Sequence, residues 1–102
     1  MFARVSTLEG APEQLDELTR HAAERVMPAL RELDGFNGAL GLADRRSGKV
    51  LAVSLWENEQ AMRASEEAAN QLRDETAEAA SETIAGVERY EVTFAEIKGT
   101  EF

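Results

Sequence analysis

The chain has 102 residues, and its 20 acidic residues against 11 lysines and arginines give a formal net charge of −9. A negative surface repels phosphate groups, so we expect neither nucleic acid nor an anionic membrane as a partner. Because there is no cysteine, disulfides, thiolate metal sites and cysteine nucleophiles are excluded. We expect one domain over residues 1–102, no metal site, and a cytoplasmic location, since we find no leader or membrane-spanning run.

The first third of the chain predicts a strand followed by a long helix. Residues 2–8 alternate between two sets of side chains, as in a strand with two different faces. Apolar residues then recur at steps of three and four through residues 15–33, which predicts an amphipathic helix. Pro28 lies within this stripe and cannot donate a backbone hydrogen bond. We therefore expect a kink near residues 26–27, with the helix continuing beyond it.

The middle of the chain predicts a hairpin whose second strand is central. Gly35 can end the first helix in a left-handed conformation, and residues 36–43 form the next predicted strand. A polar turn at residues 44–49 leads into an unbroken apolar run at residues 50–55, so the two strands are expected to pair as a hairpin. Such a run is typical of a strand that is buried on both faces. Trp56, the only tryptophan, follows it and is expected to face the helices.

The last part of the chain predicts a second helix and a fourth strand. Asn58 can accept a backbone hydrogen bond at the start of a helix that we expect to reach about Ala85, with a break near Ser65. The predicted buried stripe of this helix is mostly alanine: Ala61, Ala64, Ala68, Leu72 and Ala79. Either the helix approaches the sheet closely or the missing side-chain volume is a cavity, and the packing density of protein interiors favours close approach. Residues 87–95 alternate and predict the fourth strand.

The predicted order βαββαβ defines an α+β, ferredoxin-like fold, with an antiparallel four-stranded sheet and two helical segments on one face. Leu51, Val53 and Leu55 would leave the other sheet face apolar as well. An apolar face of that size is expected to be covered. We therefore predict a homodimer that closes face to face through the two sheets, as a dimeric α+β barrel.

Three segments carry a family resemblance: LDGF at residues 33–36, SLWENEQAM at residues 54–62 and VERYEV at residues 87–92. Together they resemble the antibiotic biosynthesis monooxygenase-like (ABM domain) proteins of the dimeric α+β barrel superfamily, over nearly the whole chain. That superfamily includes cofactor-independent monooxygenases of aromatic polyketides, haem-degrading enzymes and members of unknown function. The resemblance therefore implies the fold more strongly than any single reaction.

The resemblance transfers few functional residues. The haem-degrading members have an Asn, a Trp and a haem-ligating His, and the corresponding residues here are Ser6, Trp56 and Ser65. Because a serine hydroxyl does not replace a neutral imidazole as a ligand to such an iron, haem degradation is disfavoured. The monooxygenases pair the Trp with an Asn and a Tyr, where this chain has Ala52 and Met62. Only Trp56 carries over in both comparisons.

The resemblance implies an oxygenase without a cofactor, acting on an activated aromatic such as a phenol or anthrone. In that hypothesis Trp56 stacks on the substrate ring, Ser54 or Tyr90 holds an oxygen, and His21, the only histidine, takes the proton. Further candidates for ligand contact are Ser6, Ser65 and Phe94, the last sharing a predicted strand face with Tyr90.

Each of these candidates also has a structural interpretation. Trp56 would then anchor the second helix on the sheet, and His21 would be a partly exposed surface residue. Tyr90 and Phe94 would be core aromatics. The alternative function is a non-catalytic dimer that binds a small hydrophobic molecule or acts only as a structural or regulatory partner.

Overall fold

The computed structural model of the protein describes residues 1–99, which form one four-stranded antiparallel sheet with strand order β2-β3-β1-β4. The strands are β1 (Phe2–Glu9), β2 (Phe36–Ala43), β3 (Val50–Trp56) and β4 (Thr83–Glu91). The α-helices are α1 (Leu15–His21), α2 (Met27–Arg31), α3 (Glu59–Ala64) and α4 (Glu66–Ala79). This arrangement confirms the predicted ferredoxin-like fold. No helix of the described residues is long and apolar enough to cross a membrane.

The first helical segment accommodates its internal proline without ending. A 3₁₀ turn at Pro12–Gln14 precedes α1, and a π turn at Ala22–Val26 joins α1 to α2. Within the π turn the amide of Met27 donates to the carbonyl of Ala22, five residues earlier. Pro28 follows directly and has no N–H to contribute. The irregularity expected near residues 26–27 is therefore a π turn that begins a few residues earlier.

The predicted hairpin and the corner after it are confirmed. β2 and β3 pair antiparallel, with Phe36 opposite Trp56. Gly35 has a φ of +78° and accepts a hydrogen bond of 2.8 Å from the amide of Glu57. Asn58 Oδ1 accepts the amide of Ala61 at 2.8 Å, which caps the start of α3.

The second helical segment differs from the prediction in its end and in its buried face. It breaks at Ser65 as expected, but α4 ends at Ala79 because Ser81 takes the left-handed turn, with φ +55°, that Gly86 was expected to supply. Consequently β4 begins at Thr83 and ends at Glu91, four residues before the predicted end. The buried residues follow a stripe rotated from the alanines: Met62, Ser65, Ala69, Leu72 and Thr76.

Two apolar clusters lie at opposite ends of β3, on the face that the helices cover. One contains Leu15, Leu18, Val50 and Ala80, and the other contains Leu30, Trp56, Met62 and Leu72. Between the clusters, the helix-facing residues of β3 are Ala52 and Ser54, and Ala52 is exposed although its strand is central. The helices therefore do not fill the space over the middle of the sheet.

Candidate functional site

A cavity of about 580 Å³ lies between the middle of the sheet and the helices, lined by β1, β2, β3, the first helical segment and α4. Its floor is formed by the small residues Ala39, Gly41 and Ala52 on the helix-facing side of β2 and β3. Gly41 is the cross-strand partner of Ala52, and Ala39 is the next helix-facing residue of β2. A Cβ atom added at Gly41 would meet no atom within 4 Å. The cavity therefore arises from small residues of the sheet, and of the predicted stripe on the second helix only Leu72 lines it.

The cavity wall is mostly apolar, with residues such as Leu8, Leu18, Val26, Met27, Leu30 and Leu72. Six polar residues interrupt it: Thr19, Thr76 and a group of four that we call the polar patch, Arg4, Ser6, Ser54 and Arg73. Arg4 and Ser54 are direct cross-strand partners, and Ser6 lies two residues further along β1 on the same face. Arg73 reaches them from α4.

Arg4 is the most enclosed member of the polar patch, with 2% of its surface exposed. Its Nη2 donates to the carbonyl of Met62 at 2.7 Å, to Ser65 Oγ at 2.8 Å and to Glu66 Oε1 at 3.0 Å. The guanidinium also lies 5.5 Å from the centre of the Trp56 ring, which is the range of a cation–π contact. Its Nε is enclosed and has no hydrogen-bond partner among the described residues.

Glu66 is the counter-ion of Arg4 and is shared with a second arginine. Arg89 is the cross-strand partner of Arg4, and it donates to both oxygens of Glu66, from Nε at 2.7 Å and from Nη2 at 2.6 Å. The hydrogen bonds from Arg89 are the largest cause of a pKa of about 2 for Glu66; burial opposes them, and the hydrogen bond from Arg4 adds a smaller lowering. One carboxylate therefore holds two neighbouring cations on the sheet.

Arg73 is positioned by neutral groups. Its Nε donates to Ser6 Oγ at 3.0 Å and its Nη1 donates to Asn70 Oδ1 at 2.7 Å. Burial, followed by the nearby charge of Arg4, lowers the pKa of Arg73. Among residues 1–99, no carboxylate forms a salt bridge with it.

Trp56 stands behind the polar patch instead of lining the cavity. The side chain is fully enclosed, with its Nε1 donating to Ser54 Oγ at 2.9 Å and its ring edge-on to Phe36 at 5.6 Å between centroids. The expectation that Trp56 stacks on a bound ring is therefore not met, because Arg4, Phe36 and the apolar cluster occupy its surroundings. What Trp56 does is hold Ser54 and support Arg4.

His21 is oriented by a residue that sequence spacing did not reveal. Its Nδ1 lies 3.1 Å from Thr76 Oγ1, and that hydroxyl donates its only hydrogen to the carbonyl of Leu72 at 2.7 Å. Thr76 can then only accept from His21, which assigns the hydrogen to Nδ1 and leaves Nε2 as the basic nitrogen of the neutral ring. Thr76 lines the cavity and His21 lies behind it.

Three candidates lie away from the cavity. Tyr90 is opposite Ala3 on the other face of the sheet, is 51% exposed and donates to Glu88 at 2.8 Å. Phe94 follows the end of β4 and is 88% exposed, so the two aromatics do not share a strand face. Ser65 is buried between β1 and the α3–α4 break, where it donates to the carbonyl of Met62 and accepts from Arg4. We correct all three predictions of a cavity-lining residue.

The position that would carry a haem ligand does not fit one. The hydroxyl of Ser65 is fully engaged with Met62 and Arg4, and it is not among the cavity-lining residues. Within the described part of the chain, no group of three His, Asp or Glu side chains is placed to hold a metal ion.

Sequence reasoning missed the two arginines of the polar patch, and one of them had a signal. Arg4 lies in the set Phe2, Arg4, Ser6 and Leu8, where a charge sits among residues of a face that has to be buried. A buried charge needs partners, so this pattern marks a functional or structural ion pair. Arg73 has no comparable signal, because it is one of many charges on a helix.

The fold and the cavity define a class of small ferredoxin-like proteins with a ligand-sized cavity between the sheet and its helices. The chain belongs to the antibiotic biosynthesis monooxygenase (ABM) family, which matches residues 1–71. It is similar to Rv2558 of Mycobacterium tuberculosis, an uncharacterised protein, with 44% identity over 77 residues. That match covers 76% of this chain and 33% of Rv2558, so the chain spans about a third of the length of this curated relative.

Two solved structures illustrate the fold. The monooxygenase of the ActVA-Orf6 gene of Streptomyces coelicolor, in complex with nanaomycin D, aligns with a TM-score of 0.71 and 23% identity over 96% of this chain and 92% of that one. SnoaB, a cofactor-independent oxygenase from Streptomyces nogalater, aligns with a TM-score of 0.59 and 22% identity over 92% of each chain. At these identities the likeness shows the fold alone.

Proposed function

We propose that this protein is a cofactor-independent monooxygenase that oxygenates a small activated aromatic, such as a phenol or anthrone, within the cavity. The observation that carries the proposal is the cavity itself: about 580 Å³, mainly apolar, with a polar patch in its wall. This combination suits a flat apolar molecule that is oriented by a few polar contacts. Family membership and the cofactor-independent oxygenase SnoaB among its structural neighbours support the reaction class.

The reaction needs no cofactor because the substrate supplies the electrons. An anthrone loses a proton from its CH₂ carbon, and the carbanion transfers one electron to O₂. The resulting radical pair forms a C–O bond, and protonation gives a hydroperoxide that loses water to leave a carbonyl. Overall, anthrone and O₂ give anthraquinone and water. The protein's share is orientation and the exclusion of bulk water.

In this proposal Ser6 and Ser54 hold a substrate oxygen, with Trp56 as a positioning residue behind Ser54. His21 is the proposed base, and it acts through a water molecule at the rim because Thr76 separates it from the cavity. Tyr90 and Phe94 have no part in it.

We also propose that the protein is a homodimer through the uncovered sheet face. On that face Leu40 is 39% exposed, Leu42 is 48% exposed, and Tyr90 lies beside the apolar residues of β1. Exposed apolar residues of neighbouring strands are typical of an interface. Sedimentation equilibrium tests this proposal: a monomer at micromolar concentration would contradict it.

The second candidate is a non-catalytic dimer that binds a small aromatic or hydrophobic molecule or has only a structural role. The enclosed environment of Trp56 favours this candidate, since the residue shared with the family is part of the core and does not reach the cavity.

The test is turnover of anthrone in air, with oxygen uptake and anthraquinone absorbance followed together. The monooxygenase proposal predicts protein-dependent uptake of one O₂ per anthrone, and a rate reduced about tenfold or more in Ser6→Ala, which removes one contact to the reacting molecule. Thr93→Val, which removes an exposed hydroxyl beyond β4, is the matched control and should keep the wild-type rate. Saturable quenching of Trp56 fluorescence without turnover would overturn the reaction and favour the binding candidate.

A further inference from the structure

We infer that the ligand of this cavity carries an anionic oxygen on a planar apolar body, and that Arg4, Arg73, Ser6 and Ser54 bind that oxygen. The inference rests on the proposed function for its choice of cavity, and it adds the chemical class of the ligand. The anionic oxygen is that of a phenolate, an enolate or a carboxylate, which present the same acceptor to a donor group.

The two serine hydroxyls are both used as acceptors by the protein. Ser6 Oγ accepts from Arg73 Nε at 3.0 Å, and Ser54 Oγ accepts from Trp56 Nε1 at 2.9 Å. A hydroxyl has one hydrogen to donate, and neither serine donates to any acceptor among residues 1–99. Because both residues line the cavity, the two hydrogens are left for a group inside it.

Each of the two guanidinium groups also has a donor nitrogen that is not used within the described residues. Arg4 uses Nη2 for three acceptors and its Nε is enclosed, which leaves Nη1 without a partner among the described residues. Arg73 uses Nε and Nη1, which leaves Nη2 without one. A guanidinium group has donors and no acceptor, so both free nitrogens can only donate to a ligand.

Thr76 shows that this is not a general property of the cavity. Its hydroxyl donates to the carbonyl of Leu72 and accepts from His21, so it has no hydrogen left for a ligand. Thr19, the other threonine of the wall, likewise donates its hydrogen to the carbonyl of Leu15, so the unused donors are concentrated at the polar patch and the remaining wall residues are apolar. That distribution fits a molecule with one acceptor-rich edge and a flat hydrocarbon body.

The local charge points in the same direction. In a chain with a net charge of −9, the cavity wall contains the two cations Arg4 and Arg73, and a third, Arg89, lies beside Arg4 outside the cavity. One carboxylate, Glu66, forms salt bridges with two of them. The carboxylate of Asp74 is close enough to act on Arg73, without a hydrogen bond to it. A bound anion would relieve the repulsion between Arg73 and Arg4 that their burial strengthens.

The matched probes are anthraquinone, 2-hydroxyanthraquinone and anthraquinone-2-carboxylate, titrated against the full chain by quenching of Trp56. We expect the carboxylate and the phenolate to bind at least about tenfold more tightly than anthraquinone, since hydrogen bonds to a charged acceptor are roughly twice as strong as those to a neutral one. We also expect binding to lower the apparent pKa of 2-hydroxyanthraquinone by about one unit, seen as phenolate absorbance. A preference for the carboxylate without the phenolate shift would assign the anion as a carboxylate.

Arg73→Gln is the main variant because this side chain is partly exposed and can be changed without opening the core. It should weaken binding of both anionic probes about tenfold and remove the phenolate shift, while the affinity for anthraquinone stays the same. Arg63→Gln removes the same charge from an exposed arginine that pairs with Glu59, and it should change none of these values. Ser6→Ala, which removes one of the unused hydrogens, should also weaken binding of the anionic probes and leave the affinity for anthraquinone unchanged.

Equal affinity for the neutral and anionic probes, or identical behaviour of Arg73→Gln and Arg63→Gln, would overturn the inference. This failure is separable from failure of the proposed function. Anion-selective binding without any oxygen uptake would refute the monooxygenase and leave the inference intact. Oxygenation of anthrone with no preference for anionic probes would refute the inference and leave the proposed monooxygenase intact.

Discussion

Replacement of Ser54 by alanine should destabilise the fold through the tryptophan behind it. Trp56 is fully enclosed and its Nε1 donates to Ser54 Oγ at 2.9 Å. Without the hydroxyl, the indole N–H loses its acceptor in a place where only the cavity could supply a water. A buried donor without a partner costs about 1–3 kcal/mol. We therefore expect Ser54→Ala to lower the free energy of unfolding by about 2 kcal/mol.

The same change should cost little when the donor is absent. In a Trp56→Phe background there is no N–H to leave unpaired, so Ser54→Ala should lower the free energy of unfolding by less than about 0.5 kcal/mol. The difference is a coupling energy of about 1.5 kcal/mol. Urea unfolding followed by far-ultraviolet circular dichroism measures all four proteins, since Trp56→Phe removes the fluorophore.

Ser47→Ala is the control for this cycle, because Ser47 lies in the β2–β3 turn and accepts only the amide of Lys49. Its cost should be the same with Trp56 as with phenylalanine at that position. An equal cost of Ser54→Ala in both backgrounds would refute the hydrogen bond as the reason for the serine, and with it the assignment of the Ser54 hydrogen to the cavity.

Three further changes test the fold around the site. Gly48→Ala should lower the free energy of unfolding by about 2 kcal/mol or more in urea unfolding, because Gly48 has φ +84° and a Cβ would overlap the carbonyl oxygen of Gly10; Gly86→Ala, where a Cβ meets nothing within 4 Å, should be nearly neutral or slightly stabilising. Glu82→Gln should raise the Tm at pH 7. Burial without any hydrogen-bond partner among residues 1–99 raises the pKa of Glu82, so the carboxyl group lowers the stability of the fold as the pH rises and the group ionises. The gain in Tm should disappear near pH 4, and a gain that is the same at both pH values would contradict this cause. Asn58→Ala should lower the free energy of unfolding by about 1 kcal/mol, since it removes the cap of α3, and no change in the urea midpoint would show that the cap contributes nothing.

The strand–helix corner shows what local sequence could predict. The apolar run forms the central strand, Gly35 takes the left-handed conformation and Asn58 caps α3, as their local patterns predicted. The predicted burial of the strand on both faces is wrong for the single chain, since Ala52 is exposed and Leu51 and Val53 are half-buried. The second helical segment was harder because alanines lie on several of its sides, so its period admits more than one buried stripe. Ser81 ends α4 in a left-handed conformation that the sequence predicted for Gly86.

The candidate site depends on contacts between distant parts of the chain. Arg73 binds Ser6 across 67 positions, and His21 meets Thr76 across 55. Neither spacing belongs to a helix or strand period, so no local pattern predicts them. Arg4 was recognisable as a charge on a buried face, but its partner Glu66 depends on how α4 crosses the sheet. Trp56 was correctly placed on the helix face, while its enclosure followed from packing that the sequence does not encode locally.

The most direct test of the cavity as a site for an anionic aromatic is the ¹⁵N–¹H spectrum of the arginine Nε groups during titration with 2-hydroxyanthraquinone. We predict saturable shifts of the Nε signals of Arg4 and Arg73, because the ligand oxygen binds the other nitrogens of the same groups. The signals of Arg45 and Arg63, which are exposed and do not line the cavity, should stay in place. Saturable binding that leaves Arg4 and Arg73 unshifted and perturbs the amides of Leu51 and Tyr90, which lie on the sheet face away from the helices and do not line the cavity, would contradict the account.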